Sequence, residues 1–387
     1  MYRVKTYNNI ALRGLERFPR DSYEVASGLE DPDAIMLRSH DLHGETIPDS
    51  VLAVGRAGSG VNNIPVQDLT ERGVAVFNAP GANANAVKEL VIAGLLLGAR
   101  NLVPAAGYVQ SLDPDDSSFT EAVEQGKKRF SGFELPGRRL AVLGLGAIGV
   151  KVANAARSMG MEVVGFDPKI TVESAWQMAS DIERARSVDA ALEGADAVTV
   201  HVPLTENTQN LVNAERIRSM SPGAMVLNMA RDGIVDDDAV GEALNQGHLH
   251  AYVTDFPVPG LLDHPRVITL PHLGASTTES EENCAVMIAD QLRDYLENGN
   301  VVNSVNLPTL VLERKGQARI AVVNRNLPDR VAQISHVIGE SDINILHLMN
   351  DSRGEIAYTM LDVDGHPSST TLDALYRIDG VLRARVL

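Results

Sequence analysis

Arg231, in NMARDG (228–233), and His272, in PHLGAS (271–276), each follow a short apolar run that reads as a β-strand. An arginine at the carboxyl end of a strand offers a planar, two-pronged donor to a carboxylate. A histidine in that setting shuttles a proton near neutral pH. Together they suit removal of a proton from a hydroxyl group beside a carboxylate. Asp255 closes a third run, HAYVTD (250–255), and His201 a fourth, AVTVH (197–201). Asp255 is expected to contact a cofactor amide, and His201 to line a cofactor cleft without taking part in proton chemistry. Taken singly, each has a plainer reading: Arg231 as a surface charge paired with Asp232 or Asp236, His272 as a structural histidine, Asp255 as a turn residue before Pro257.

The cofactor is written in RRLAVLGLGAIGVKVANAARSMGMEVVGFD (138–167). Leu140 to Leu143 make a short strand, and Gly144, Gly146 and Gly149 fit G-x-G-x-x-G. A helix with apolar residues at helical spacing follows, then a second strand ending on Asp167, 23 residues after Gly144. Gly144 permits the tight turn, Gly146 lets backbone approach a pyrophosphate, and Gly149 lets the helix pack closely on the strand. The helix N-terminus presents unpaired N–H groups to phosphate. Asp167 accepts from ribose hydroxyls and repels a 2′-phosphate, which selects NAD over NADP.

The elements that must position these residues alternate strand and helix. The chain has 387 residues, room for two or three domains. Its net charge of −17 argues against nucleic acid and anionic membranes as partners. Cys284 is the only cysteine, so no intramolecular disulfide forms; its place in EENCAVMIADQL suggests a buried thiol. The N-terminus lacks the apolar core of a signal peptide, and the longest apolar runs are too short to span a bilayer, so a cytoplasmic protein is expected. No metal site is expected.

The fingerprint starts mid-chain, so a folded region precedes it. Strands are predicted at Ala34–Arg38, Val51–Gly55 and Val74–Asn78, with a very apolar helix over Ala86–Arg100. After Asp167 the alternation continues through to Val267–Leu270 and calls for a doubly wound parallel α/β sheet, a Rossmann domain. A second long helix, Thr277–Gly299, resembles the first in type. The expected organisation is a discontinuous substrate domain (1–100 and 274–305) split around a nucleotide domain (101–273). A linker (306–317) and a C-terminal unit (318–387) follow. The last unit reads βαββαβ, a ferredoxin-like sandwich.

The residue set resembles the D-isomer-specific 2-hydroxyacid dehydrogenases over nearly the whole chain. The resemblance rests on VGRAGSGVNNI (54–64), NAPGANANAVKELVIAGLLL (78–97), GLGAIG (144–149), HVPLTENT (201–208), NMARDGIVD (228–236) and PHLGAST (271–277). It implies a flavodoxin-like substrate domain and a C-terminal unit similar to the amino-acid-binding ACT domain. It also implies NAD-dependent oxidation of a phosphorylated 2-hydroxy acid, 3-phospho-D-glycerate to 3-phosphohydroxypyruvate, the first step of serine biosynthesis. His272 would be the acid/base, and Arg231 would hold the substrate carboxylate and carbonyl. NAD would meet Ala147 and Ile148 at the glycine loop, Asp167 at the ribose and Asp255 at the nicotinamide amide. Met229, Ala230, Leu273, Gly274 and Ala275 would line the cleft. The substrate phosphate would be met by Arg38, Ser39, Arg56 and the amides of Gly58, Ser59 and Gly60. Serine or another amino acid would be held at Asn324, Asn326 and Asn344, with Asp329 as the N-cap of the following helix. A homodimer or homotetramer is implied. One departure stands out: the family's catalytic glutamate falls near Gly260, where DFPVPGLLDHPRV (255–267) has no carboxylate, and Asp263 is the nearest substitute. Two other readings stay open. One is a different 2-hydroxy acid, such as hydroxypyruvate, glyoxylate or D-lactate; the other is a non-catalytic NAD-binding redox sensor.

Overall fold

The computed structural model describes residues 1–387, which divide into two compact units: Met1–Asn83 with Thr278–Leu387, and Ala84–Thr277. The first unit opens with five parallel strands: β1 (Tyr2–Thr6), β2 (Tyr23–Ala26), β3 (Ala34–Leu37), β4 (Ala53–Arg56) and β5 (Ala75–Phe77). They lie in the order β2-β1-β3-β4-β5, the flavodoxin-like arrangement. β3 to β5 are short, almost wholly apolar runs, as parallel strands covered on both faces must be. One face packs Met36 and Phe77 against Ile288, Leu292 and Leu296 of helix Thr278–Asn298. The other packs Ile35, Val54 and Val76 against Leu42 and Leu69. Cys284 is buried in this core, as expected, and burial pushes its thiol up.

The second unit is a seven-stranded, all-parallel sheet. Its strands are β6 (Arg139–Leu143), β7 (Glu162–Phe166), β8 (Glu183–Arg184), β9 (Ala197–Val200), β10 (Ala224–Asn228), β11 (Leu249–Thr254) and β12 (Val267–Thr269). The order β12-β11-β10-β9-β6-β7-β8 reverses direction at β6/β9, the crevice at which doubly wound sheets bind ligands. Helix Ala84–Ala99 belongs here: Val91, Leu95 and Ala99 pack with Val142, Leu227 and Val253. The boundary expected at residue 100 therefore falls between residues 83 and 84. A helix apolar around most of its circumference must be covered, but its pattern does not say by which sheet. No single helix is long and apolar enough to cross a membrane.

The C-terminal residues of the first unit form an antiparallel sheet of β13 (Ala318–Arg325), β14 (Ile345–Arg353), β15 (Ile356–Val363) and β16 (Val381–Val386), ordered β14-β15-β13-β16. Helices Arg330–Glu340 and Ser369–Tyr376 supply Ile334, Ile338 and Leu375 to the core with Ile320, Val322 and Leu361, giving the expected βαββαβ layer. The other residues of the same strands, Ala321, Val323, Tyr358 and Met360, join the core of the first sheet. The sheet is thus not a separate body on a free linker. Residues expected to be linker are built in: Leu307 and Leu310 are buried, and Asn306 bonds the backbone of Val76 and Val74. Charged groups seal the seam. Arg319 and Asp362, both 0 % exposed, form a two-pronged pair at 2.6 and 2.9 Å, and Arg319 also donates to the Asn298 carbonyl at 2.8 Å. Burial works to raise the Asp362 carboxyl, but the Arg319 guanidinium and the Lys315 amide together hold the group below its ordinary value.

Candidate active site

The glycine turn after β6 fits a dinucleotide. Gly144 has φ +93°, and a Cβ on it would lie 2.5 Å from the His201 carbonyl oxygen. A Cβ on Gly149 would lie 1.8 Å from the Gly144 oxygen. Both positions therefore exclude side chains. Gly146, the N-cap of helix Ala147–Ser158, differs: a Cβ there would meet nothing within 4 Å. That open space over a helix N-terminus is where a pyrophosphate needs close backbone approach. Ala147 and Ile148 border it on the first helical turn. At the end of β7, Asp167 braces the turn by accepting from the Leu145 and Lys169 amides at 2.8 Å each. Each of its oxygens keeps acceptor capacity for a ribose hydroxyl.

His201 follows β9. Part of the residue reaches the surface, but its ring is enclosed: Nε2 bonds Thr199 Oγ1 at 3.0 Å, and Nδ1 is buried without a partner. Burial pushes its pKa down to about 3, so the imidazole is neutral. Proton shuttling near pH 7 is closed to a neutral imidazole so enclosed.

Arg231 follows β10 and His272 follows β12, on either side of β11 in the sheet, and two buried side chains shape their turns. Asn228, 2 % exposed at the end of β10, accepts from the Ala230 amide at 3.2 Å and donates to the Arg231 carbonyl at 2.9 Å. Asp255, 1 % exposed just after β11, accepts from the Leu273 amide at 2.6 Å and the Gly274 amide at 2.7 Å. Backbone bonds continue the ladder from strand to turn: Asp255 N to Asn228 O at 3.0 Å, then His272 N to Asp255 O at 3.1 Å. His272 sits at φ +56°, an unfavourable conformation for a non-glycine residue, and Asp255 fixes the turn on both sides of it. What the structure gives Asp255 is thus a hold on the histidine turn. Its own sequence gave no sign of that, because the two amides lie 18 and 19 residues downstream.

The reactive ends of the two side chains are not tied down. Arg231 is exposed and donates only to the Ala230 carbonyl, at 2.7 Å. The pairing with Asp236 that its neighbourhood allows does not form, since Asp236 caps the next helix through the Ala239 amide. The His272 ring is exposed and packs against Phe256, centroids 5.0 Å apart. Gly260 lies exposed in a short 3₁₀ turn, and neither Asp263 nor any other carboxylate pairs with His272. Around these ends lie Met229, which is buried, Ala230 and Ala275, which are half-buried, and Leu273, which is exposed.

The residues expected to meet a phosphate lie in the first unit, and their cations are engaged. Arg38 and Arg56 end adjacent strands, as the sequence suggested. Arg56 donates from Nε to the Arg38 carbonyl at 3.0 Å and from Nη1 to the Gly60 carbonyl at 2.5 Å. Arg38 pairs with Glu281 at 2.7 Å. The Gly58 amide, expected to face phosphate, instead donates to the Arg56 carbonyl, and the Ser59 carbonyl accepts from Asn78. The Ser39 amide is held by Asn8 Oδ1.

The expected effector residues are not gathered within one chain. Asn324 is buried and donates to the Arg325 carbonyl; Asn326 donates to the Gly354 carbonyl. Asn344 precedes β14, and the register pairs Ile345 with Val363 and thus with Ala318, at the far end of β13 from Asn324. At about 3.3 Å per residue that is a separation of about 20 Å. Asp329 has φ +68° and makes no cap bond, accepting instead from the Gln333 side chain, so the N-cap expectation is corrected. A left-handed residue turns its side chain away from the first helical amides.

Comparison with known proteins agrees with this geometry. The family described as "D-isomer specific 2-hydroxyacid dehydrogenase, NAD binding domain" matches residues 99–274. The D-3-phosphoglycerate dehydrogenase of Haemophilus influenzae is 32% identical over 382 residues, covering 95% of this chain and 89% of that protein. The D-3-phosphoglycerate dehydrogenase of Methanocaldococcus jannaschii is 34% identical over 305 residues, 76% of this chain but 56% of that protein. The chain spans about half the length of this and several other curated relatives it matches. In fold it is similar to NAD+-bound 3-phosphoglycerate dehydrogenase from Entamoeba histolytica, with a TM-score of 0.61, 24% identity, and coverage of 80% of this chain and 99% of that one. The chain belongs to the D-isomer-specific 2-hydroxyacid dehydrogenase family.

Proposed function

We propose that this chain catalyses NAD-dependent oxidation of 3-phospho-D-glycerate to 3-phosphohydroxypyruvate. The observation that carries the reading is the pair of turns, held by the buried side chains of Asn228 and Asp255, that present Arg231 after β10 and His272 after β12 at the same end of one parallel sheet. The likeness to the Haemophilus influenzae protein over nearly the full chain supports the choice of substrate. His272 takes the proton from the C2 hydroxyl. Arg231 holds the carboxylate and polarises the carbonyl as it forms, a preorganised electrostatic contribution. Arg38 and Arg56 meet the phosphate. Asp167 receives the ribose, and the open space at Gly146 receives the pyrophosphate of NAD, which when bound supplies the hydride acceptor.

The chain acts as a homo-oligomer in the cytoplasm on this reading, and serine acts on it weakly if at all, because one chain holds Asn344 about 20 Å from Asn324. NADH formation with 3-phospho-D-glycerate, set against D-lactate and the reverse reactions of glyoxylate and hydroxypyruvate, tests the reading. Preference for the phosphorylated substrate supports it. Turnover of another acid alone reassigns the substrate, and NAD binding without turnover of any makes the chain a sensor.

A further inference from the structure

We propose that Glu281 is a specificity-determining residue: it occupies the Arg38 guanidinium and so weakens the hold of this corner on a phosphate dianion relative to an unphosphorylated acid. The inference rests on the reading above, in which Arg38 meets the substrate phosphate.

Arg38 directly follows β3, and Glu281 lies in the first turn of helix Thr278–Asn298. Their contact is 2.7 Å, and each side chain is 39% exposed, so the pair is open to an incoming anion. Arg56 lies beside it, donating to the carbonyls of Arg38 and Gly60. Arg38, Arg56 and Glu281 all act electrostatically on the Cys284 thiol, one helical turn beyond Glu281, which places the three charges in one neighbourhood. Glu281 sets a negative charge directly against the Arg38 guanidinium in that corner. A phosphate dianion must displace Glu281 from Arg38 or share the guanidinium with it, against direct repulsion from the carboxylate. A ligand without the phosphate meets no such competition. The neighbouring Glu282 is engaged elsewhere, with Arg13 at 3.1 Å, so the effect is specific to position 281.

The test uses the full chain with NAD+ and compares 3-phospho-D-glycerate with D-glycerate for the wild type, Glu281→Gln and Glu282→Gln. Glu281→Gln should lower KM for the phosphorylated substrate about 5-fold, the scale of a half-exposed ion pair. Its KM for D-glycerate and both kcat values should stay within about 2-fold, and Glu282→Gln should move neither KM. Calorimetric titration with inorganic phosphate reads the same corner without turnover and should tighten about 5-fold in Glu281→Gln. Unchanged or weakened phosphate binding in that variant overturns the proposal, as does an equal shift in KM for both substrates. A wild type that fails to oxidise 3-phospho-D-glycerate counts against the function proposed above, while the phosphate titration still decides the part played by Glu281.

Discussion

At the carboxyl ends of β10 and β11 the buried polar groups are Asn228 and Asp255, and what they hold is backbone. The Arg231 and His272 side chains carried by that backbone stay exposed and are free of carboxylate partners. In the first unit the charged ends themselves are engaged. Arg319 is locked to Asp362, Arg383 and Arg385 donate to carbonyls of Val51 and Tyr295, and Arg38 is paired with Glu281. The first pattern fixes geometry and leaves chemistry available; the second converts charge into cohesion. Loss of a buried polar group should therefore cost rate in one region and stability in the other.

The largest effect is expected at the seam. Asp362→Ala leaves the Arg319 guanidinium buried and unpaired, a loss of about 3–5 kcal/mol. Urea unfolding should show it, while the fraction still folded in the cold keeps its NADH affinity. Asp255→Ala should act the other way. Two amides lose their acceptor and the His272 turn is released, so kcat falls about 100-fold, with Asp255→Asn recovering part because one acceptor oxygen remains. A variant that melts early yet keeps its kcat would erase the distinction between the regions.

Acid sensitivity sharpens the comparison further. His201 has a folded pKa of about 3 against an ordinary 6.5, so as pH falls below 6.5 the unfolded chain takes up the proton first. Stability from this group is full above pH 6.5 and drains away toward pH 3, with about 2 kcal/mol lost by pH 5. The difference between unfolding free energies at pH 7 and pH 5 should shrink by that amount in His201→Gln. Gly146→Ala gives the smallest change. Its backbone has φ −74° and its Cβ enters open space, so stability should hold or rise by about 0.4–1 kcal/mol. NADH affinity should nevertheless fall about 10-fold, because the methyl group stands where the pyrophosphate approaches.

Local features of this molecule were legible in its sequence. The glycine fingerprint, the strand ends carrying Arg231 and His272, and the βαββαβ tail all rest on periodicity and on residues close together in the chain. β1 and β2 were not, because YRVKT and YEVA hold few apolar residues and bury little beyond Val4 and Tyr23. The covering partner of helix Ala84–Ala99, the built-in course of residues 306–317 and the shared core of the C-terminal sheet depend on tertiary packing. The same holds within the site. Asn228 and Asp255 were visible as residues, but their grip on the turns spans two to nineteen positions, and the Arg38–Glu281 pair joins distant parts of the chain. That no carboxylate stands at Gly260 was readable; that an aromatic ring, Phe256, lies against His272 was not.

The central claim is that His272, held by its turn and otherwise unbound, moves the substrate proton. Initial rates of NADH formation from 3-phospho-D-glycerate, measured for the wild type and His272→Ala together with NADH binding, test it most directly. The account predicts a fall in kcat of about 100-fold or more with nucleotide affinity intact. A His272→Ala variant that turns over at the wild-type rate would contradict it.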